Sequence, residues 1–170
     1  FRSCRSLRTV KFCEGLETLG TDELQENGKP HYGVFAESAL DDVRLPSTLK
    51  LIEYGAFESC GNLRAINLSE NLEHVGKLCF WGSALESVRL PPALKTIEES
   101  AFDQCKGLKS VEFPAALEKI CANAFFMSGI EKADFPASLK IVDQSAFAGC
   151  ENLKTIALPD GLEFIGKECF

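Results

Sequence analysis

The residues of this chain best suited to chemistry are its eight cysteines and two histidines. Thiolates and imidazoles serve as metal ligands, as nucleophile and base, or (cysteine alone) as disulfide partners. A structural zinc site gathers four such ligands, typically from close pairs such as C-x-x-C. No C-x-x-C occurs, and His31 and His74 show no paired ligand spacing. His74 falls between Leu72 and Val75, at a position expected to face water. There is no G-x-S-x-G, no H-E-x-x-H and no phosphate-cradling glycine loop. The sequence therefore offers no catalytic, metal or cofactor residues and reads as a non-enzyme. Asn67-Leu68-Ser69 matches the N-glycosylation acceptor pattern, a tripeptide common by chance.

Disulfides are the remaining possibility, and the elements that place the cysteines bear on it. Eight phenylalanines organise the chain: Phe1, Phe35, Phe57, Phe80, Phe102, Phe125, Phe147 and Phe170. From Phe35 onward they are 22, 23, 22, 23, 22 and 23 residues apart. Fixed self-similarity at such a period marks a solenoid. One coil is too small to bury its own apolar face, so the corner phenylalanines are expected to stack into a continuous spine. Cys4, Cys60, Cys105 and Cys150 each sit three residues after a spine Phe. The last three are 45 residues apart, which is two coils or roughly 10 Å of stack. Bridged Cα atoms lie within about 7 Å, so these cannot pair with one another. Cys13, Cys79, Cys121 and Cys169 fall in other columns. Most of the cysteines read as small buried hydrophobes with free thiols, with disulfides as the alternative.

Aligned coils read Leu85, Val88, Leu90, Pro91, Leu94, Ile97, Ala101, Phe102 and Leu108, Val111, Phe113, Pro114, Leu117, Ile120, Ala124, Phe125. Leu40, Leu63, Ile130 and Leu153 open units of the same form. The unit is L-x-x-[VI]-x-[LF]-P-x-x-L-x-x-[IV]-x-x-x-[AC]-F. It predicts a short strand over L-x-x-[VI]-x-[LF], its fourth and sixth residues inward with a period of two. Pro46, Pro91, Pro114, Pro136 and Pro159 then end the ladder and turn the chain; Ser69 and Cys13 replace proline in two coils. A second extended piece follows, as at 117–120, and one helical turn precedes the spine Phe, as at 98–101.

This pattern resembles the leucine-rich repeat family, in particular the BspA-like class of bacterial and protist surface proteins. The resemblance implies a mostly β fold with short helical turns: a leucine-rich-repeat solenoid of about seven coils of 22/23 residues. It also implies adhesion or surface recognition, although a fold alone never settles function. The distance from spine Phe to the next unit alternates between 5 and 6 residues. Long turns carry Cys and short turns carry Ser38, Ser83 and Ser128, so the true repeat is a 45-residue pair of coils. The segments Leu19-Gly20-Thr21-Asp22-Glu23 and Gly33-Val34-Phe35 are similar to paired-coil arrays of dinoflagellate algae.

Three columns carry functional interest. The second strand position reads Arg8, Asp41, Arg64, Glu86, Lys109, Glu131, Lys154, alternating in sign at every coil. Stacked neighbours there are expected to form a ladder of opposite charges, each pair contributing a fraction of a kcal/mol. The fifth position reads Lys11, Arg44, Asn67, Arg89, Glu112, Asp134, Ala157, running from basic to acidic on what should be the exposed, concave face. Either this column drifts as solvated surface, or its polarity orients a partner. Trp81 and Phe126 each follow a spine Phe directly, in short turns. They either fill volume there or form an exposed aromatic edge, which would suit a binding hot spot.

The 170 residues form a single array. Between Leu19 and Phe35 the register carries 11 extra residues, placed at 21–31, where Asn27-Gly28 and Pro30 favour a turn. That insert is expected to be a surface loop, with or without a partner role. Both terminal coils keep the core pattern without a polar cap, so the sequence reads as part of a longer array whose ends further repeats or another subunit would cover. The net charge of −7 disfavours nucleic-acid binding, which needs a basic face. No apolar run reaches the ~20 residues of a membrane span. The expected function is a non-catalytic protein–protein interaction scaffold. Two alternatives are a cell-surface adhesion protein and a structural or targeting module joined to an enzyme. Relatives suggest the cell surface or secretion, and free cysteines suit an intracellular setting equally.

Overall fold

The structure is a computed structural model in which residues 1–20 and 32–170 are described. The insert at 21–31, with the surface loop expected there, lies outside the described residues. Thirteen strands of two or three residues follow one another: β1 (Thr9–Lys11), β2 (Thr18–Leu19), β3 (Asp42–Arg44), β4 (Leu51–Ile52), β5 (His74–Val75), β6 (Ser87–Arg89), β7 (Thr96–Ile97), β8 (Ser110–Glu112), β9 (Lys119–Ile120), β10 (Lys132–Asp134), β11 (Ile141–Val142), β12 (Thr155–Ala157) and β13 (Phe164–Ile165). They form two columns of parallel strands. The first holds β1, β3, β6, β8, β10 and β12, with an isolated bridge from Arg44 to Asn67 marking its third rung. The second holds β2, β4, β5, β7, β9, β11 and β13. We number the coils one to seven by the rungs they carry.

The period-two pattern explains which side chains point in. Val43 and Val88 are buried between exposed or half-buried neighbours, and in the second column Ile52, Val75, Ile97, Ile120 and Val142 are buried in the same way. The prolines start the turn that joins the columns. The carbonyls of Pro46, Pro91, Pro114, Pro136 and Pro159 each accept from the amide three residues on, at 3.1–3.2 Å.

The spine is continuous. Consecutive rings from Phe1 to Phe170 stack with centroids 5.1–5.8 Å apart and planes within 16° of parallel. The six inner rings are at most 1% exposed, whereas Phe1 is 72% and Phe170 52% exposed. The 45-residue pairing has a physical basis beside this spine. The thiols of Cys60, Cys105 and Cys150 donate to the carbonyls of Phe35, Phe80 and Phe125 at 3.0–3.3 Å. Each also contacts the hydroxyl of the preceding short turn, Ser38, Ser83 or Ser128, at 3.3–3.5 Å. Serine and cysteine thus alternate because each pair forms one buried polar contact.

The helical turn expected before each spine Phe is not formed; no helix occurs among the described residues. Linked β-turns take its place. In coil four, Ala101 donates to Glu98, Asp103 to Ser100 and Cys105 to Phe102. Ser100 and Gln104 have φ of 54° and 56°. A positive φ at the third residue is the mark of a type II turn and interrupts any right-handed helix. The rule recurs at all but Gly33: Leu78, Ser100, Asn123, Ser145 and Glu168, two residues before a spine Phe, and Ser3, Glu37, Ser59, Gln104 and Met127, two after one, are all left-handed. Glycine occupies three of these sites, at Gly55, Gly82 and Gly149. A left-handed non-glycine costs roughly 1–2 kcal/mol and an ordered glycine roughly 0.5–1. Gln104→Gly is therefore expected to stabilise the fold by about 1 kcal/mol, read as a higher urea midpoint; a lower midpoint would contradict the turn assignment.

Candidate functional site

The fifth strand position forms the outward face of the first column. Lys11, Arg44, Asn67, Arg89, Glu112, Asp134 and Ala157 are all exposed, one per coil. Their charges are partly committed. Arg89 approaches Glu112 at 3.5 Å across the coils, while Arg44 pairs with Asp42 (3.5 Å) and Asp134 with Lys132 (2.7 Å) within their own strands. These pairs are well exposed, and such pairs contribute little to stability.

The alternating column forms discrete pairs rather than a continuous ladder: Arg8–Asp41 at 3.7 Å, Arg64–Glu86 at 2.7 Å and Lys154–Glu131 at 3.5 Å. A second alternating column escaped the sequence reading. Glu17, Lys50, Glu73, Lys95, Glu118, Lys140 and Glu163 each follow the leucine before the second strand. Three pairs form in it, Lys50–Glu17, Lys95–Glu118 and Lys140–Glu163, at 3.1–3.4 Å. The signal was a strict sign alternation, opposite in phase and nine residues further along each coil.

Both strand columns open between coils three and four. At the other coil junctions the second column is continuous, but no pairing joins β5 to β7. In the first column Asn67 pairs back to Arg44, and β6 pairs only forward to β8. The coils on either side are held to their outer neighbours. Coil three leans on coil two: Ser69 Oγ and Asn71 Nδ2 donate to the Ser47 carbonyl at 3.1 and 2.9 Å, and His74 lies 3.8 Å from Glu53. That contact makes His74 half-buried rather than fully solvated. Coil four is laddered to coil five through β6–β8 and β7–β9, while the exposed pairs Arg64–Glu86 and Lys77–Glu99 still span the break at 2.7 and 3.1 Å. The turn side of the junction stays bonded, with Phe80 donating to Ala101 and Glu86 to Arg64, both at 2.9 Å. A groove of about 300 Å³ results on the strand side, bordered by Asn67, Leu68, Arg89, Pro91, Pro92 and Glu112. The first column also opens between β8 and β10, but there the second column is intact.

Trp81 and Phe126 are half-buried in the turns and do not line this groove. Their column, directly after each spine Phe, also contains two carboxyls that the sequence reading passed over. Glu58 follows Phe57, and Asp103 follows Phe102, so Asp103 sits one coil from each aromatic. Burial pushes both carboxyls up; for Asp103, Ser100 and Trp81 offset this only in part, and its Oδ1 has no hydrogen-bond partner. The folded state therefore favours the protonated acid. Its contribution is complete below the ordinary carboxylate value of about 4 and is lost as pH rises through the raised folded value. Asp103→Asn is expected to flatten stability against pH over that window and to raise it at pH 7. Parallel urea titrations of both proteins from pH 4 to 8 check this; an unchanged pH slope would refute it.

A solenoid of short parallel strands, with one leucine-rich unit per coil and an aromatic spine, is the leucine-rich-repeat class of fold. The sequence matches the family described as BspA type Leucine rich repeat region, in 6 copies over residues 31–142 and 75–170. The chain belongs to that family. Among solved structures it is similar to a leucine-rich repeat protein of T. pallidum, at 26% identity and a TM-score of 0.65, over 81% of this chain and 68% of that one. It is also similar to a leucine rich cell surface protein of Faecalibacterium prausnitzii (18% identity, TM-score 0.56), over 87% of this chain and 46% of that one. A leucine-rich repeat protein of Bacteroides ovatus matches at 17% identity and a TM-score of 0.50, over 100% of this chain and 65% of that one. The latter two likenesses show the fold alone. This chain spans about half the length of the F. prausnitzii protein. No curated protein matches it.

Proposed function

We propose that this chain is a non-catalytic scaffold that binds a protein partner on the outward face of its first strand column. The observation that carries this reading is the row Lys11, Arg44, Asn67, Arg89, Glu112, Asp134: exposed, one residue per coil, basic at one end and acidic at the other. Extended repeat faces of this kind bind macromolecules, and a polarised row sets the orientation of a charged partner before contact. No cluster of three or more metal-ligating side chains occurs among the described residues, and no helix among them is long and apolar enough to cross a membrane. Trp81 and Phe126 would act as a separate aromatic edge on the turn side.

The test is a displayed library of small folded proteins selected against the immobilised chain. Binders should associate at least tenfold more slowly with the Arg44→Glu/Arg89→Glu variant at low salt, and the rate should depend less on salt. Binders indifferent to both substitutions would reject this face.

A further inference from the structure

We propose that the groove between coils three and four captures an extended peptide segment of a protein partner through its main chain. This deepens the reading of the strand face as a binding face and rests on it. In a strand, the N–H and C=O of one residue point to one side and those of its neighbours to the other. Leu90 donates to the Glu112 carbonyl in coil five, so the amide and carbonyl of Arg89 point the opposite way, towards coil three. Asn67 bridges back to Arg44 in coil two, so the carbonyl of Ile66 and the amide of Leu68 point towards coil four. Where coil one meets coil two and coil four meets coil five, the equivalent groups bond, Phe12 donating to Arg44 and Leu90 to Glu112. Here no backbone bond joins residues 65–77 to residues 87–98. The groove thus has two facing walls, each with one unused donor and one unused acceptor.

The chemistry of the lining selects a peptide over a small anion. The Arg89 guanidinium already faces the Glu112 carboxylate at 3.5 Å, so the groove offers no uncommitted cation. Its unused backbone groups are neutral amides and carbonyls, with the Asn67 side chain exposed among them. A peptide backbone carries alternating donors and acceptors along its edges and can take up these unused groups, as in strand addition. The groove volume of about 300 Å³ is room for roughly ten waters at liquid density, enough for a short stretch of chain. Glu70, exposed and also lining the groove, favours a basic residue in the segment.

The experiment uses the full chain and a displayed library of random linear peptides. Amide exchange is measured on the free protein and with each selected peptide, and each peptide is also remade with single N-methyl groups along its backbone. In the free protein, Leu68 and Arg89 should exchange much faster than Leu90. With peptide bound they should slow at least tenfold, and N-methylation at one or two positions should weaken binding at least tenfold. Peptides that bind with an association rate sensitive to Arg44→Glu/Arg89→Glu, yet leave those two amides unchanged and tolerate every N-methyl group, would overturn the groove and leave the strand face standing. Peptides indifferent to the charge reversals as well would overturn both. Selection that yields no peptide binding at millimolar concentration, or Leu68 and Arg89 already as protected as Leu90 in the free protein, would also overturn the groove.

Discussion

Phe102→Ala is expected to cost about 3–5 kcal/mol of folding stability, the range for truncating a fully buried aromatic. The ring is 0% exposed and stacks on Phe80 and Phe125 with centroids 5.3 Å away on both sides. Each stack adds about 0.5–1.5 kcal/mol beyond area burial, and the cavity has no flexible neighbour to fill it, because the spine repeats rigidly on either side. In a solenoid the loss is local to nearest-neighbour coils, so the urea transition should broaden or split as the two halves uncouple. Phe170→Ala is the control: that ring is 52% exposed and stacks on one side only, and its loss should cost about 1 kcal/mol or less. Equal costs for the two substitutions would mean that the spine is not what couples the coils.

The second large effect is in thiol reactivity. Burial pushes the Cys105 thiol up to about 12 and Cys79 well above its ordinary value, and it raises Cys60, Cys121, Cys150 and Cys169 as well. Only the thiolate is nucleophilic, so at pH 7 Cys105 would present about one thiolate in 10⁵. Cys13 is exposed, and all eight thiols are free. Alkylation of the native protein followed by peptide mapping should therefore label Cys13 more than a thousandfold faster than Cys105 and Cys79. The two buried sites should label only at the rate of local unfolding. Comparable rates, or a disulfide linking any two of the eight, would show that the cysteines are not packed as the fold places them. Packing rather than redox pairing accounts for three of them, Cys60, Cys105 and Cys150, whose Ser contacts satisfy a polar group next to the spine.

How much of this was legible in advance follows from the range of each interaction. The Phe spine, the inward Val and Ile positions and the turn prolines were legible because each is a local rule repeated at a constant offset. The strand face was legible for the same reason, since residues beside buried positions must point out. The Ser–Cys alternation and the charge alternation were visible as patterns, though which neighbours pair was not.

The turns were misread as helical because nothing in Glu98-Glu99-Ser100-Ala101 forbids a helix. The left-handed residues at Ser100 and Gln104 are imposed by the backbone bonds each turn makes to the next coil, such as Ser100 to Ala122 and Gln104 to Phe126. The burial of Asp103 was invisible for a related reason. An acid in a turn reads as solvated until the rings of the coils above and below are in place. The break between coils three and four lies furthest from local rules. Residues 63–68 and 85–90 carry the same strand pattern as every other coil, and each is compatible with a closed ladder. Whether two strands pair depends on how whole coils seat on one another, which no local pattern states. Ser69 and Asn71 hold coil three to Ser47, while the β6–β8 and β7–β9 ladders hold coil four to coil five. The sequence alone therefore determined the solenoid, its spine and its exposed column, because these follow from periodicity. Only the tertiary structure decided where the strand ladders open, because pairing depends on contacts between coils and belongs to no single repeat.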